Sequence, residues 1–80
     1  MVVEIILKSG NSYYTSEYDT FGDLREAIST DASVECWWYL NNGRAYVERF
    51  VFNMEDIQVM RTDANAVQPT PDIMMGKLLG

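Results

Sequence analysis

The stretch that decides the fold is Val34-Glu35-Cys36-Trp37-Trp38-Tyr39-Leu40, then Asn41-Asn42-Gly43, then Arg44-Ala45-Tyr46-Val47-Glu48-Arg49-Phe50-Val51-Phe52. Side chains along a strand alternate between two faces. Val34, Cys36, Trp38 and Leu40 therefore form one apolar face, and Glu35, Trp37 and Tyr39 form the other. Asn41-Asn42-Gly43 is a hairpin signal, because Asn and Gly tolerate the positive φ that tight turns need. Residues 45 to 52 read as the returning strand. Two registers are open. A two-residue Asn42-Gly43 turn pairs Tyr39 with Tyr46. A three-residue turn with Gly43 as the bulge pairs Glu35 with Arg49, and that cross-strand charge pair favours it. A slip of one residue exchanges the faces.

Outward toward the N-terminus, Val3, Ile5 and Leu7 alternate with Val2, Glu4, Ile6 and Lys8, which predicts a strand over 2–8. Ser9-Gly10-Asn11-Ser12 reads as a turn, and 12–18 (with Tyr13, Tyr14, Thr15 and Tyr18) as its hairpin partner. Asp19 or Thr20 can cap a short helix, with Asp23 three residues after Thr20 in a near capping box. Phe21, Leu24 and Ile28 share one helical face. Toward the C-terminus, Ile57 and Val59 alternate with Asp56 and Gln58, predicting a last strand over about 56–61, with helix as the runner-up. Residues 62–72 carry both prolines and read as a flexible linker. The predicted fold is α+β and mostly β: a small curled antiparallel sheet or SH3-like barrel in the order ββαβββ, with one short helix and a C-terminal tail. The domain is 1–61, the linker 62–72 and the apolar tail 73–80.

The tail has its own signals. Thr70 as N-cap, Pro71 at the first helical position and Asp72 in the first turn predict a helix start. Met74 with Leu78, and Met75 with Leu79, are i, i+4 pairs beside Ile73. Eight residues are too few for a stable isolated helix. The expected helix would form on docking into a groove of a partner, of a neighbouring subunit or of the domain itself.

Composition excludes several functions. Eighty residues make one domain with a small core, so self-association would help it. Six Lys and Arg stand against twelve Asp and Glu, a net charge of −6, which opposes direct nucleic-acid binding. The absence of histidine removes Ser-His-Asp and Cys-His catalysis and histidine-ligated metals. Glu55-Asp56 is the one adjacent acidic pair, and strand neighbours point to opposite faces, so it is a poor acid–base pair. Ser9 beside Lys8 is no dyad, and Gly10 and Gly22 build no phosphate loop. Cys36, the lone cysteine, sits on an apolar face and reads as a buried, inert thiol in a reducing compartment. No apolar run approaches membrane-spanning length. The expectation is a cytoplasmic protein that is not an enzyme, with no cofactor, no metal and no membrane partner.

Six of the ten aromatic residues lie between 37 and 52. One short helix cannot cover both faces of so aromatic a hairpin. Trp37, Tyr39, Tyr46 and Phe50, with Arg44 and Arg49 among them, are thus the candidate residues for a partner or ligand, since Trp, Tyr and Arg dominate binding hot spots. Ile73, Met74, Met75, Leu78 and Leu79 are the candidates in the tail.

The order of elements resembles that of small β-rich orphan proteins of bacteriophages and mobile elements. The likeness rests on the first strand and turn Ile5-Ile6-Leu7-Lys8-Ser9-Gly10, the acidic-capped helix, the hairpin, and the closing Asp56-Ile57-Gln58-Val59. The first hairpin is also similar to that of Sm-type barrels, from which the chain departs by its central helix and its acidity. The phage resemblance implies a non-catalytic protein that binds and inhibits or redirects a host protein, or that sequesters a small signal molecule. Two expectations follow. The first is an oligomeric protein-binding module whose acidic surface selects a basic or nucleic-acid-binding partner. The second is an oligomer holding a small anionic ligand such as a nucleotide between Trp37, Tyr39 and Tyr46, with Arg44 or Arg49 on its charge.

Overall fold

The structure, a computed structural model, describes residues 1–40 and 44–62 and the backbone of Met74–Gly76. The elements are β1 (Val3–Leu7), β2 (Ser12–Thr15), α1 (Phe21–Ser29), β3 (Val34–Tyr39), β4 (Ala45–Phe50), a 3-10 turn (Met54–Asp56), β5 (Ile57–Thr62) and β6 (Met74–Gly76). They form one sheet in the order β5-β1-β2-β3-β4-β6. The first five pair antiparallel, and β6 runs parallel to β4. β5 and β6 lie at opposite edges, so this is a curled open sheet and not a closed barrel.

Local chemistry explains the boundaries. Gly10 takes φ +97 in the first turn, a conformation that costs glycine nothing. β2 is shorter than expected because Thr15 bends the chain: its Oγ1 accepts from the Glu17 amide (3.3 Å) and donates to the Glu35 carbonyl (2.8 Å). Thr20 caps α1, its Oγ1 accepting from Asp23 N at 3.1 Å. Thr30 caps the C-terminal end of the helix, and the chain leaves it through Asp31, whose φ of 60 lies in the left-handed region. Asn53 caps the 3-10 turn through its side chain and the Glu55 amide (3.0 Å), which re-aims the chain into β5.

The β3–β4 register pairs Glu35 with Arg49 and Tyr39 with Ala45, as the charge pair favoured. The expected bulge at Gly43 lies outside the described residues. The register puts Val34, Cys36 and Trp38 on the face that carries α1, and Trp37 and Tyr39 on the opposite face. On the helix side, Val3, Ile5, Leu24, Ile28, Val34, Cys36 and Phe52 form the core. Tyr13, Phe21, Phe50 and Met60 pack against it. On the other face Trp37, Ala45 and Val47 are buried, with Val2 and Tyr14 against them.

The tail needs a correction. Met74–Gly76 is an extended strand, paired Ala45 to Met74, Tyr46 to Met75 and Val47 to Gly76, where the capping signals predict a helix. A segment beside an open strand edge satisfies its backbone groups on that edge, whereas a short helix with Gly76 inside it loses propensity and gains little burial. Ile73, Leu78 and Leu79, and the side chains of Met74 and Met75, lie outside the described residues, as does the expected linker from Asp63 onward.

Candidate functional site: an acidic helix face

The sheet separates the aromatic candidates. Trp38 pairs across the ladder with Tyr46, and the two rings stack on the helix side with centroids 5.4 Å apart. Tyr13 meets Trp38 edge-on at 5.5 Å, and Tyr13, Phe50 and Phe52 close the cluster at 5.2 to 5.9 Å. On the far face Tyr14 stacks on Trp37 at 6.0 Å, again across a direct pair. Trp37 is only 2% exposed, while Tyr39 is 44% exposed. The Trp37 Nε1–H donates to the Tyr39 hydroxyl (3.2 Å). Trp37 and Tyr39 thus stand on one side of the sheet and Tyr46 and Phe50 on the other. The expected pocket between Trp37, Tyr39 and Tyr46 has no geometric basis, since the backbone of β3 and β4 lies between them.

Arg49 is engaged elsewhere. Its guanidinium donates to Glu17 Oε1 (2.9 Å), to Ser33 Oγ (3.0 Å) and to the Ser33 carbonyl (3.0 Å). The second oxygen of Glu17 accepts from the Glu35 amide at 2.6 Å. This cluster ties together the loops before and after α1 and the far end of β4. Burial pushes the Glu17 carboxyl up, but the Glu35 amide and Arg49 outweigh it and hold it below its usual value of 4.5. Arg49 is therefore a structural clamp rather than a ligand's counter-charge. Arg44 is exposed just before β4, where its carbonyl accepts from the Leu40 amide (2.7 Å).

Cys36 is buried, and desolvation, then the charges of Glu17 and Glu35, push its thiol up to about 12. It has no thiolate for chemistry near neutral pH. Among the described residues no cluster of carboxylate or cysteine side chains could hold a metal ion. No described helix is long and apolar enough to cross a membrane.

The outward side of α1 carries two carboxylates. α1 buries Leu24, Ala27 and Ile28 and turns Asp23 and Glu26 outward, three residues apart on one face. A shallow, open depression of about 430 Å³ runs along that face, lined by Tyr18, Asp23, Glu26, Ala27 and Thr30. Exposed Asp19 and Asp31 flank the two ends of the helix, and Arg25 is the one cation on it. The two ion pairs among the described residues, Arg49–Glu17 and Arg61–Glu4, take up two arginines and neither of these helix carboxylates. Sequence reasoning used Asp23 only as a cap and passed over Glu26. The signal was present in the spacing of Asp23 and Glu26 opposite Phe21, Leu24 and Ile28. Comparison with protein-family models, with curated proteins and with solved structures yields no match for this chain.

Proposed function

We propose that the chain is a non-catalytic binding protein that docks its acidic helix face on a basic protein partner and thereby inhibits or redirects it, in the manner of small bacteriophage modulators. The observation that carries this reading is the pair Asp23 and Glu26, which line an open depression with Tyr18 and enter neither of the two ion pairs among the described residues, with exposed Asp19 and Asp31 beyond the two ends of the helix. Carboxylates that are not paired within the fold stay hydrated and accelerate encounter with a positive surface. A tyrosine beside them adds a ring face on which an arginine or lysine of the partner can rest. The partner is a protein with a basic surface, such as one that itself binds nucleic acid, because net charge −6 keeps the chain itself off a phosphate backbone. The place of action is the cytoplasm, where a lone thiol stays reduced.

The test is affinity capture from a bacterial lysate with the immobilised chain, at low and at high salt, beside the double variant Asp23→Lys/Glu26→Lys. The expected result is one or a few basic proteins retained at low salt, released at high salt and absent from the variant. Retention that is indifferent to both salt and the charge reversal would remove the acidic face from the interaction.

A further inference from the structure

We propose that α1 is a latched lid: the segment from Glu17 to Ser33 opens from the sheet as one unit, and the Arg49 guanidinium is its latch. The helix is weak by itself. Nine residues are too few for a stable isolated helix, and Gly22 is a poor helix former. The last turn carries no basic side chain to meet the helix dipole. The backbone bonds of its ends close within the segment: Leu24 N to Thr20 O, Thr30 N to Glu26 O, Asp31 N to Ile28 O and Ala32 N to Ala27 O. The sheet offers it an apolar seat, on which Leu24, Ala27 and Ile28 are buried and Phe21 is half-buried.

The polar attachments of the segment converge on one side chain. Glu17, at its start, accepts from Arg49 (2.9 Å) and from the Glu35 amide (2.6 Å). Ser33, at its end, accepts from the same guanidinium through Oγ and through its carbonyl, each at 3.0 Å. Arg49 of β4 thus holds both feet of the helix, and both must leave it when the lid lifts. An exposed ion pair alone contributes little, but the fork of bonds to Glu17 and Ser33 adds to it. The latch lies outside the core, with 47% of the Arg49 side chain and 30% of the Glu17 side chain exposed, so it parts without unpacking a strand. The ladders of β1 with β2 and β5, and of β3 with β4, use no residue of the segment. Lifting it therefore leaves them paired and uncovers Val3, Ile5, Val34 and Cys36. Such a unit opens at a lower free energy than the whole domain.

The experiment is native-state hydrogen exchange of the full chain, followed by NMR at rising urea below the unfolding transition. It needs no partner, so its outcome is separate from the acidic-face reading, although Asp23 and Glu26 ride on the lid. In the wild type, the amides of α1 should exchange faster than those of β1 and β3, with a shallower urea slope, because the smaller opening exposes less surface. Arg49→Gln should speed α1 exchange by about fivefold or more. Glu17→Gln should speed it as well, and the double variant should stay within about twofold of Arg49→Gln, since both changes undo one latch. Amides of α1 that exchange together with the strands, at one steep slope, overturn the proposal. So does an α1 rate that Arg49→Gln leaves within about twofold of the wild type, because the latch would then still be closed in the open state. Should Arg49→Gln fail to fold, Glu17→Gln and the wild-type slopes decide in the same way.

Discussion

Leu24→Ala is the sharpest probe of how the helix is held. Leu24 is fully buried, and its side chain shares the core with Val3, Ile5, Val34 and Cys36 of two strands and with Ile28 one turn on. Truncating a buried leucine costs about 2–5 kcal/mol, the transfer term plus the cavity left behind. The sheet below is paired on both sides of β1 and β3 and the nine-residue helix has only about two and a half turns, so the site can collapse little, and about 3 kcal/mol is expected. The whole domain, at roughly 0.05–0.15 kcal/mol per residue, has only about 4–12 kcal/mol to lose. With a urea slope of about 1 kcal/mol per molar, the midpoint should fall by about 3 M, leaving the variant marginal. Val51→Ala is the control: Val51 is 61% exposed on the β4–β5 connection, and its midpoint should move by less than about 0.5 M. Urea titration of both variants by tryptophan fluorescence reads this directly, because Trp37 and Trp38 report on both faces. A loss below about 1 kcal/mol for Leu24→Ala would mean that α1 does not seal the core, and the two-face description would fail with it.

Other perturbations have defined signs. Glu17 has a lowered folded pKa, so the stability it supplies is present above about 4.5, its unfolded value, and is lost as pH falls below it; Glu17→Gln should flatten the acid limb of the urea midpoint plotted against pH, and an unchanged limb would refute the clamp. Cys36 has a raised folded pKa, so stability is full below 9 and declines as pH rises toward about 12; the native thiol should ignore a thiol reagent at neutral pH and react on unfolding, and fast native labelling would contradict its burial. Asp31→Gly, at φ 60, should leave stability equal or raise it by up to about 1 kcal/mol, whereas Asp31→Val should lower it by about 1–2 kcal/mol; equal effects on the thermal midpoint would argue against the left-handed helix end. Thr15→Val keeps the shape but strips the Glu35 carbonyl of its donor, and a loss of about 1–2 kcal/mol is expected in the same titration; no loss would show that the Thr15 bond is dispensable.

The parts of the fold governed by neighbours in sequence were legible. Thr20 three residues before Asp23 marks the helix start, and Asn-Asn-Gly between two aromatic runs marks the hairpin. The Glu35–Arg49 charge pair even selects its register. What was not legible depends on contacts across the chain. Arg49 looked available for a ligand because its partner, Glu17, is 32 residues away with no spacing rule to connect them. Trp37 and Tyr46 looked like neighbours because a hairpin brings them close in register, but the pleat sends them to opposite sides. The tail misled because the Thr-Pro-Asp signal and the i, i+4 methionine and leucine pairs are local. A free β4 edge is a tertiary feature that offers backbone partners no local signal foretells. The acidic face was hidden differently. Each carboxylate reads alone as ordinary surface, and it becomes a face only once α1 turns its apolar stripe to the sheet.

The most direct test of the acidic-face reading is the affinity of the chain for the basic protein it captures, titrated by calorimetry across a range of salt concentrations with the wild-type chain and with Asp23→Lys/Glu26→Lys. Docking through the helix face predicts wild-type affinity that falls steeply as salt rises, and a variant at least tenfold weaker at low salt with a nearly flat response. A wild-type affinity that does not change with salt, or a variant that binds as tightly as the wild type, would contradict it.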